Sequence, residues 1–232
     1  MKKYFVGIFI FLFVAALSSA QQVFAQETYD FNGTIQVKVG KKKITEEVNG
    51  TVDIIMNEEE EEFAKKKTVK SYYYDDAGSP IESATFSFEF GAEDTDCGDT
   101  LDEETIEVDA EPQDGGGGSK RSVRLEFDQN SLADLISRIL EKHGGTVQEA
   151  LDLDDCFSAT GGGEQIVDFW VNYVSGTAYI KSSYIKVSFG GNAEIQVSDQ
   201  SYQDQRRYKQ KISGKLIIEY PNPGGFVKKG NS

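Results

Sequence analysis

Along much of the chain apolar residues recur at every second position. Ala84, Phe86, Phe88 and Phe90 alternate with Thr85, Ser87 and Glu89, and Val123, Leu125 and Phe127 alternate with Arg124 and Glu126. A period of two is that of an extended strand with one face buried and the other in water. Val167, Phe169, Val171 and Tyr173 read as another inward row. Ile185, Val187 and Phe189 read as a strand that Gly190-Gly191-Asn192 turns, as a hairpin, into Ile195 and Val197. Further strands are predicted over Tyr29–Val39, Glu46–Met56, Phe63–Tyr74, Ile81–Phe90, Thr105–Val108 and Ser122–Asp128. The fold class is therefore mainly β, with about ten antiparallel strands, and two architectures satisfy it: a barrel or a two-sheet sandwich.

One segment follows a different period. Leu132, Leu135, Ile136, Ile139 and Leu140 fall at i, i+3, i+4, i+7 and i+8, which lines one face of an α-helix. Ser131 is the expected cap at its start, with Asp134 three residues on, and Lys142, His143 and Gly144 suit its end. A second short turn is expected from Thr146, with Glu149 closing a capping box. A helix of about three turns needs an apolar surface, so it packs on or over the β structure.

A short internal similarity runs through the strands. Asn32-Gly33-Thr34 recurs as Asn49-Gly50-Thr51, and looser copies start at Ser175-Gly176 and Ser213-Gly214. Each copy is a polar residue, a glycine and then alternating apolar positions, the mark of a bulge or bend within a strand. The irregular spacing argues against a solenoid or propeller. The two Asn-Gly-Thr triplets also fit the N-glycosylation acceptor pattern, although strand geometry accounts for them.

The first 25 residues stand apart. Lys2 and Lys3 precede an apolar run from Tyr4 to Leu17, followed by small residues up to Ala25. This is the order of a secretory leader, and the run is short for a membrane span. The expected organisation is a leader over 1–25, one β-rich domain over 26–222 and a flexible tail over 223–232, with export to a periplasmic or extracellular space. The net charge of −15 becomes −17 without the two leader lysines. Nucleic acid and stable insertion into a membrane are excluded as roles by that charge and by the leader's removal. Only 38% of residues are hydrophobic, below the usual ~45–50%, so the core is thin and its large aromatic residues carry much of the burial.

The chain has two cysteines, Cys97 and Cys156. An oxidising compartment makes one disulfide the expectation, worth roughly 4 kcal/mol for a loop of this size in the chain-entropy view. The single histidine, His143, excludes multi-histidine zinc sites, and its place at a helix end suits an electrostatic role better than that of a hydrolase base. No nucleophile elbow, phosphate loop or dinucleotide fingerprint is present, and no enzymatic activity is expected. Joining the cysteines would bring Asp94, Asp96 and Asp99 towards Asp152, Asp154 and Asp155, which makes them a solvated acidic surface, with calcium the one cation they are candidates to hold; no cofactor is expected. The spacing departs from the twelve-residue calcium loop, since Gly98 stands fifth from Asp94.

Two functions follow. In the first, a non-catalytic exported barrel holds a small apolar or amphipathic ligand against Phe86, Phe88, Phe90, Phe169 and Tyr173, with Leu135 and Ile139 of the helix closing the opening. The alternative is a structural or adhesive module, stiffened by calcium, that works through its acidic surface.

Overall fold

The computed structural model describes residues 23–63, 67–72, 81–113, 122–153, 155–157, 165–181, 184–199 and 205–219. Of these, 23–26, 56–63, 67–72, 165–167 and 199 are described by their backbone alone. Most of the leader, the glycine-rich connections at 114–121 and 158–164, and residues 220–232, which include the expected tail over 223–232, lie outside the described residues.

The alternating runs form strands. β1 (Val23–Val39) and β2 (Lys42–Phe63) make a hairpin about Gly40, whose φ of +56° suits glycine. β3 (Lys67–Tyr72) folds back on the far half of β2, so Glu58–Phe63 belongs to a hairpin. β4 (Ile81–Phe90) leads through the short pair β5 (Glu93–Asp94) and β6 (Thr100–Leu101) to β7 (Glu104–Pro112) and β8 (Ser122–Phe127). Two helices follow, α1 (Gln129–Lys142) and α2 (Gly144–Leu151). β9 (Gln165–Ile180), β10 (Tyr184–Asp199) and β11 (Gln205–Glu219) complete the chain of elements.

Each strand of the main sheet pairs antiparallel with its neighbour in the order β1-β2-β4-β7-β8-β9-β10-β11, and β11 pairs back onto β1 through Phe31↔Ile218 to Lys38↔Lys211. The sheet is thus a closed eight-stranded barrel, the first of the two expected architectures, with a helical pair packed against it. Closure removes the free sheet edges that a sandwich would leave.

Inward rings meet across the single strand that lies between them. The ring centroids of Phe31 (β1) and Phe88 (β4) lie 5.0 Å apart, those of Phe86 (β4) and Phe127 (β8) 6.0 Å, and those of Phe127 and Phe189 (β10) 5.1 Å. The glycines of the internal similarity explain how such rings fit. Gly50 is the cross-strand partner of both Phe31 and Phe88, and Gly214 of Phe189. A methyl group at Gly50 would fall inside the carbonyl oxygen of Ser87, and one at Gly214 inside the Phe189 ring. The repeated motif is therefore a device for strand curvature, in which a missing side chain lets the wall bend and an adjacent aromatic ring covers it.

Two strand expectations change. Gly190-Gly191-Asn192 does not turn the chain, because β10 runs unbroken through it. The irregularity there is a bulge, where Asn192 pairs with Tyr173 and Ala193 with Val171, leaving Asn172 extra on β9. One added residue reverses the inward parity of β9 beyond that point, so Val174, Ala178 and Ile180 are buried and Tyr173 is 45% exposed.

The helix expectation holds with shifted caps. Leu132, Leu135, Ile136, Ile139 and Leu140 are all buried on the barrel. The cap is Asp128, whose carboxylate accepts from the N–H and the hydroxyl of Ser131, each at 2.8 Å, so the helix starts before Ser131. These bonds hold the Asp128 carboxyl below its ordinary value.

Candidate functional site

The strand ends at Val39, Lys42, Phe90, Glu104 and Phe127 share one rim of the barrel, and α1 and α2 cover it. β2 carries an unexpected residue there. Between inward Ile44 and Val48 the same parity places Glu46, and its carboxylate is buried under the end of α1. Lys142 Nζ donates to Glu46 Oε1 at 2.6 Å, and His143 Nε2 lies 3.0 Å from Glu46 Oε2. Burial opposes the charge on Glu46, but the bonds from His143 and Lys142 outweigh it and hold the carboxyl below its ordinary range.

Lys142 also reaches Glu93 Oε2 at 2.6 Å. Burial alone would lower the Lys142 ammonium, and the bonds from Glu46 and Glu93 overcome this and raise it. Arg138, one turn earlier on α1, is buried beside Glu93 at 3.5 Å and Glu104 at 3.7 Å, donates to the carbonyl oxygens of Asp102 and Gly91, and stacks 5.3 Å from the Phe90 ring centroid. One of its nitrogens, Nη1, is buried without a partner. Three carboxylates thus face Arg138, Lys142 and His143, a balance that ties the helical cap to β2 and to the β4–β7 connection. Its chemistry is that of a buried ionic clasp. His143 is engaged by Glu46, and the described contacts supply no hydroxyl or thiol for that histidine to activate.

The cysteines add a covalent tie at the same rim. Cys97, in the β4–β7 connection, is joined to Cys156, which follows α2, with their Cα atoms 6.4 Å apart. Next to the bridge, Asp96 accepts from the backbone N–H groups of Gly145 and Thr146 at 2.6 and 3.0 Å and from the Thr146 hydroxyl at 3.0 Å. Asp96 therefore caps α2 from a distant loop. Slight burial opposes its charge, and the three bonds prevail, holding the carboxyl low. The expected capping box at Thr146 is replaced by this long-range cap, and Glu149 instead meets Lys42 at 3.2 Å. Gly144 allows the close approach, since a side chain there would press on Cys156 Sγ at 2.9 Å and Phe157 O at 2.7 Å.

The expected ligand-facing residues divide. Phe86, Phe88 and Phe90 are buried inside the barrel, and Leu135 and Ile139 face it from α1. Phe169 is half-buried against the core and Tyr173 points outward. Of the expected calcium ligands, Asp96 is committed to α2, Asp94 accepts from the Thr100 hydroxyl at 2.9 Å, and Asp152 ends α2 in the left-handed region at φ 55°. Asp99 and Asp155 are exposed and Asp154 lies outside the described residues. Among the described residues no three carboxylates, histidines or cysteines gather as a metal-holding group.

Two open clefts lie on the outer wall. One, of about 470 Å³, is lined by Asn32, Thr34, Glu47, Asn49, Lys215 and Ile217 across β2, β1 and β11. The other, of about 490 Å³, lies over β7 and β8 at the start of α1, between Asp109, Glu111, Glu126 and Asp128. In the first the two Asn-Gly-Thr triplets face each other, with Asn32 paired to Asn49.

Fold and site together define a helix-capped, closed eight-stranded antiparallel barrel with buried inward rows. No protein family, curated protein or solved structure matches the chain.

Proposed function

We propose that the protein is a non-catalytic, exported barrel module that works through its outer surface. The observation that carries this reading is the belt of buried phenylalanine rings on β1, β4, β8 and β10, each touching the next across one strand, which favours an interior filled by the protein's own side chains. The paired charges under the cap support it too, because they fasten the helices to the rim. Export rests on the leader pattern of the first 25 residues and is consistent with a bridged cysteine pair.

The competing reading, a barrel that holds a small apolar or amphipathic ligand, draws on Leu135 and Ile139 lying over the barrel beside the Phe90 rim. Native mass spectrometry of the purified, oxidised protein separates the two, followed by solvent extraction and displacement of an apolar dye. The surface reading expects an unliganded mass and no displaceable dye. A stoichiometric apolar molecule in the extract would reject it.

A further inference from the structure

The outer wall is electrically divided in a way that the net charge of −15 conceals. Every charged outward position on β11 from Arg207 to Lys215 is a cation: Arg207, Lys209, Lys211 and Lys215, all exposed. On β7 the outward Glu107, Asp109 and Glu111 are all anions. In the ring of eight strands β11 and β7 are four steps apart in either direction, so these faces look out from opposite sides of the barrel.

Both faces contain like charges set directly against each other. Lys38 of β1 is the cross-strand partner of Lys43 on β2 and of Lys211 on β11, and Glu111 of β7 is the partner of Glu126 on β8. Such pairs are destabilising within one molecule. No described salt bridge relieves Lys38, Lys43 or Lys211. The acidic side is also concave, being the cleft of about 490 Å³ between Asp109, Glu111 and Glu126, while Lys209 and Lys211 are exposed on the opposite side.

We infer that the β11 face of one copy docks on the β7 and β8 face of a second copy, lysines entering the acidic cleft. The chain itself supplies the matching charge, and one contact relieves repulsion on both partners. Because the faces point in opposite directions, the contact is heterologous and leaves a free face at each end, so it propagates as a row of barrels and does not close into a two-fold dimer. The inference rests on the surface-acting reading and extends it by naming the partner.

Sedimentation of the oxidised protein tests it at an ionic strength of roughly 0.1 M, where the Debye length is about 10 Å: repulsion between net charges is screened and direct contacts persist. The expected result is concentration-dependent association that is lost near 1 M salt. Lys211→Glu with Lys215→Glu, and separately Glu107→Lys with Glu111→Lys, should each weaken association about tenfold or more with the melting temperature retained. Mixing the two variants should restore a complex, because each keeps one native face. A wild-type protein that stays monomeric, association indifferent to both variants, or a lysine face that instead holds a sulfated polysaccharide on a monomer would each overturn the inference. A monomer without a bound small molecule would still leave the surface-acting reading in place, whereas an apolar molecule in the extract would reject that reading alone.

Discussion

Replacing Gly50 by alanine tests why this barrel closes. The added methyl would lie within the van der Waals shell of the Ser87 carbonyl oxygen, 3.0 Å from the Ser87 carbonyl carbon and 3.2 Å from Phe31 Cε1. Ser87 and Phe31 belong to the strands on either side of Gly50, so neither can yield without moving a ladder of hydrogen bonds. Overpacking of this kind costs about 1–3 kcal/mol. Against it stands a gain of about 0.4–1 kcal/mol, because alanine restricts the unfolded chain more than glycine does. Gly190 provides the control, since a methyl there meets nothing nearer than Ile212 O at 3.6 Å and faces outward. Gly190→Ala should therefore be neutral or slightly stabilising, whereas Gly50→Ala should lose about 1–2 kcal/mol net. With a urea slope of roughly 2 kcal/mol per molar, the two midpoints should differ by about 1 M. Equal midpoints would refute the claim that the repeated glycine exists to let the wall bend.

Four other outcomes are expected. Leu135→Ala on α1, at 0% exposure, should destabilise by about 2–5 kcal/mol in the same titration, and a loss under about 1 kcal/mol would mean that the helix is not docked as described. Asp96→Ala removes the remote cap of α2 and should cost about 1 kcal/mol, with faster amide exchange confined to residues 144–151; uniform exchange would contradict it. Glu46, Asp96 and Asp128 are held below their ordinary values in the folded state, so their stabilisation is present above those values and is lost as the pH falls through the lowered ones. Lys142 is raised above 10.5, so its contribution is full below that pH and is lost as the pH climbs through the higher folded value. The urea midpoint should thus decline on both the acid and the alkaline side, and Glu46→Gln should flatten part of each limb. An unchanged profile in that variant would remove the clasp from the account. Chelation bears on calcium: a melting temperature that drops with chelator and recovers with calcium would assign the acidic loops a cation, and an unmoved one would deny it.

The strands were legible because alternation needs only local information. Phe86, Phe88 and Phe90 could be placed on one inner face from their spacing, and the 132–140 helix from its own period. Closure was not legible, because the pairing of β1 with β11 joins the ends of the element order and leaves no trace in a local window. Parity failed at Asn172, where one bulged residue turned Tyr173 outward. The clasp went unseen for a related reason. Glu46 shares parity with Ile44 and Val48, and a carboxylate in an inward row was the available signal, but its partners Lys142 and His143 are about a hundred positions away. Cys97 and Cys156 were paired by counting; the use of Asp96 as a cap followed only from three dimensions.

The adjacency of β1 and β11 has a mechanical consequence. Phe31 of the first strand and Ile218 of the last lie side by side and antiparallel, toward the rim opposite the helices. Tension applied between residues 31 and 218 would therefore open the β1–β11 ladder from that end, one hydrogen bond at a time, and would not load the whole of it in shear. A molecule built this way resists pulling poorly when tethered at both of those points, and resists it best when gripped across its walls.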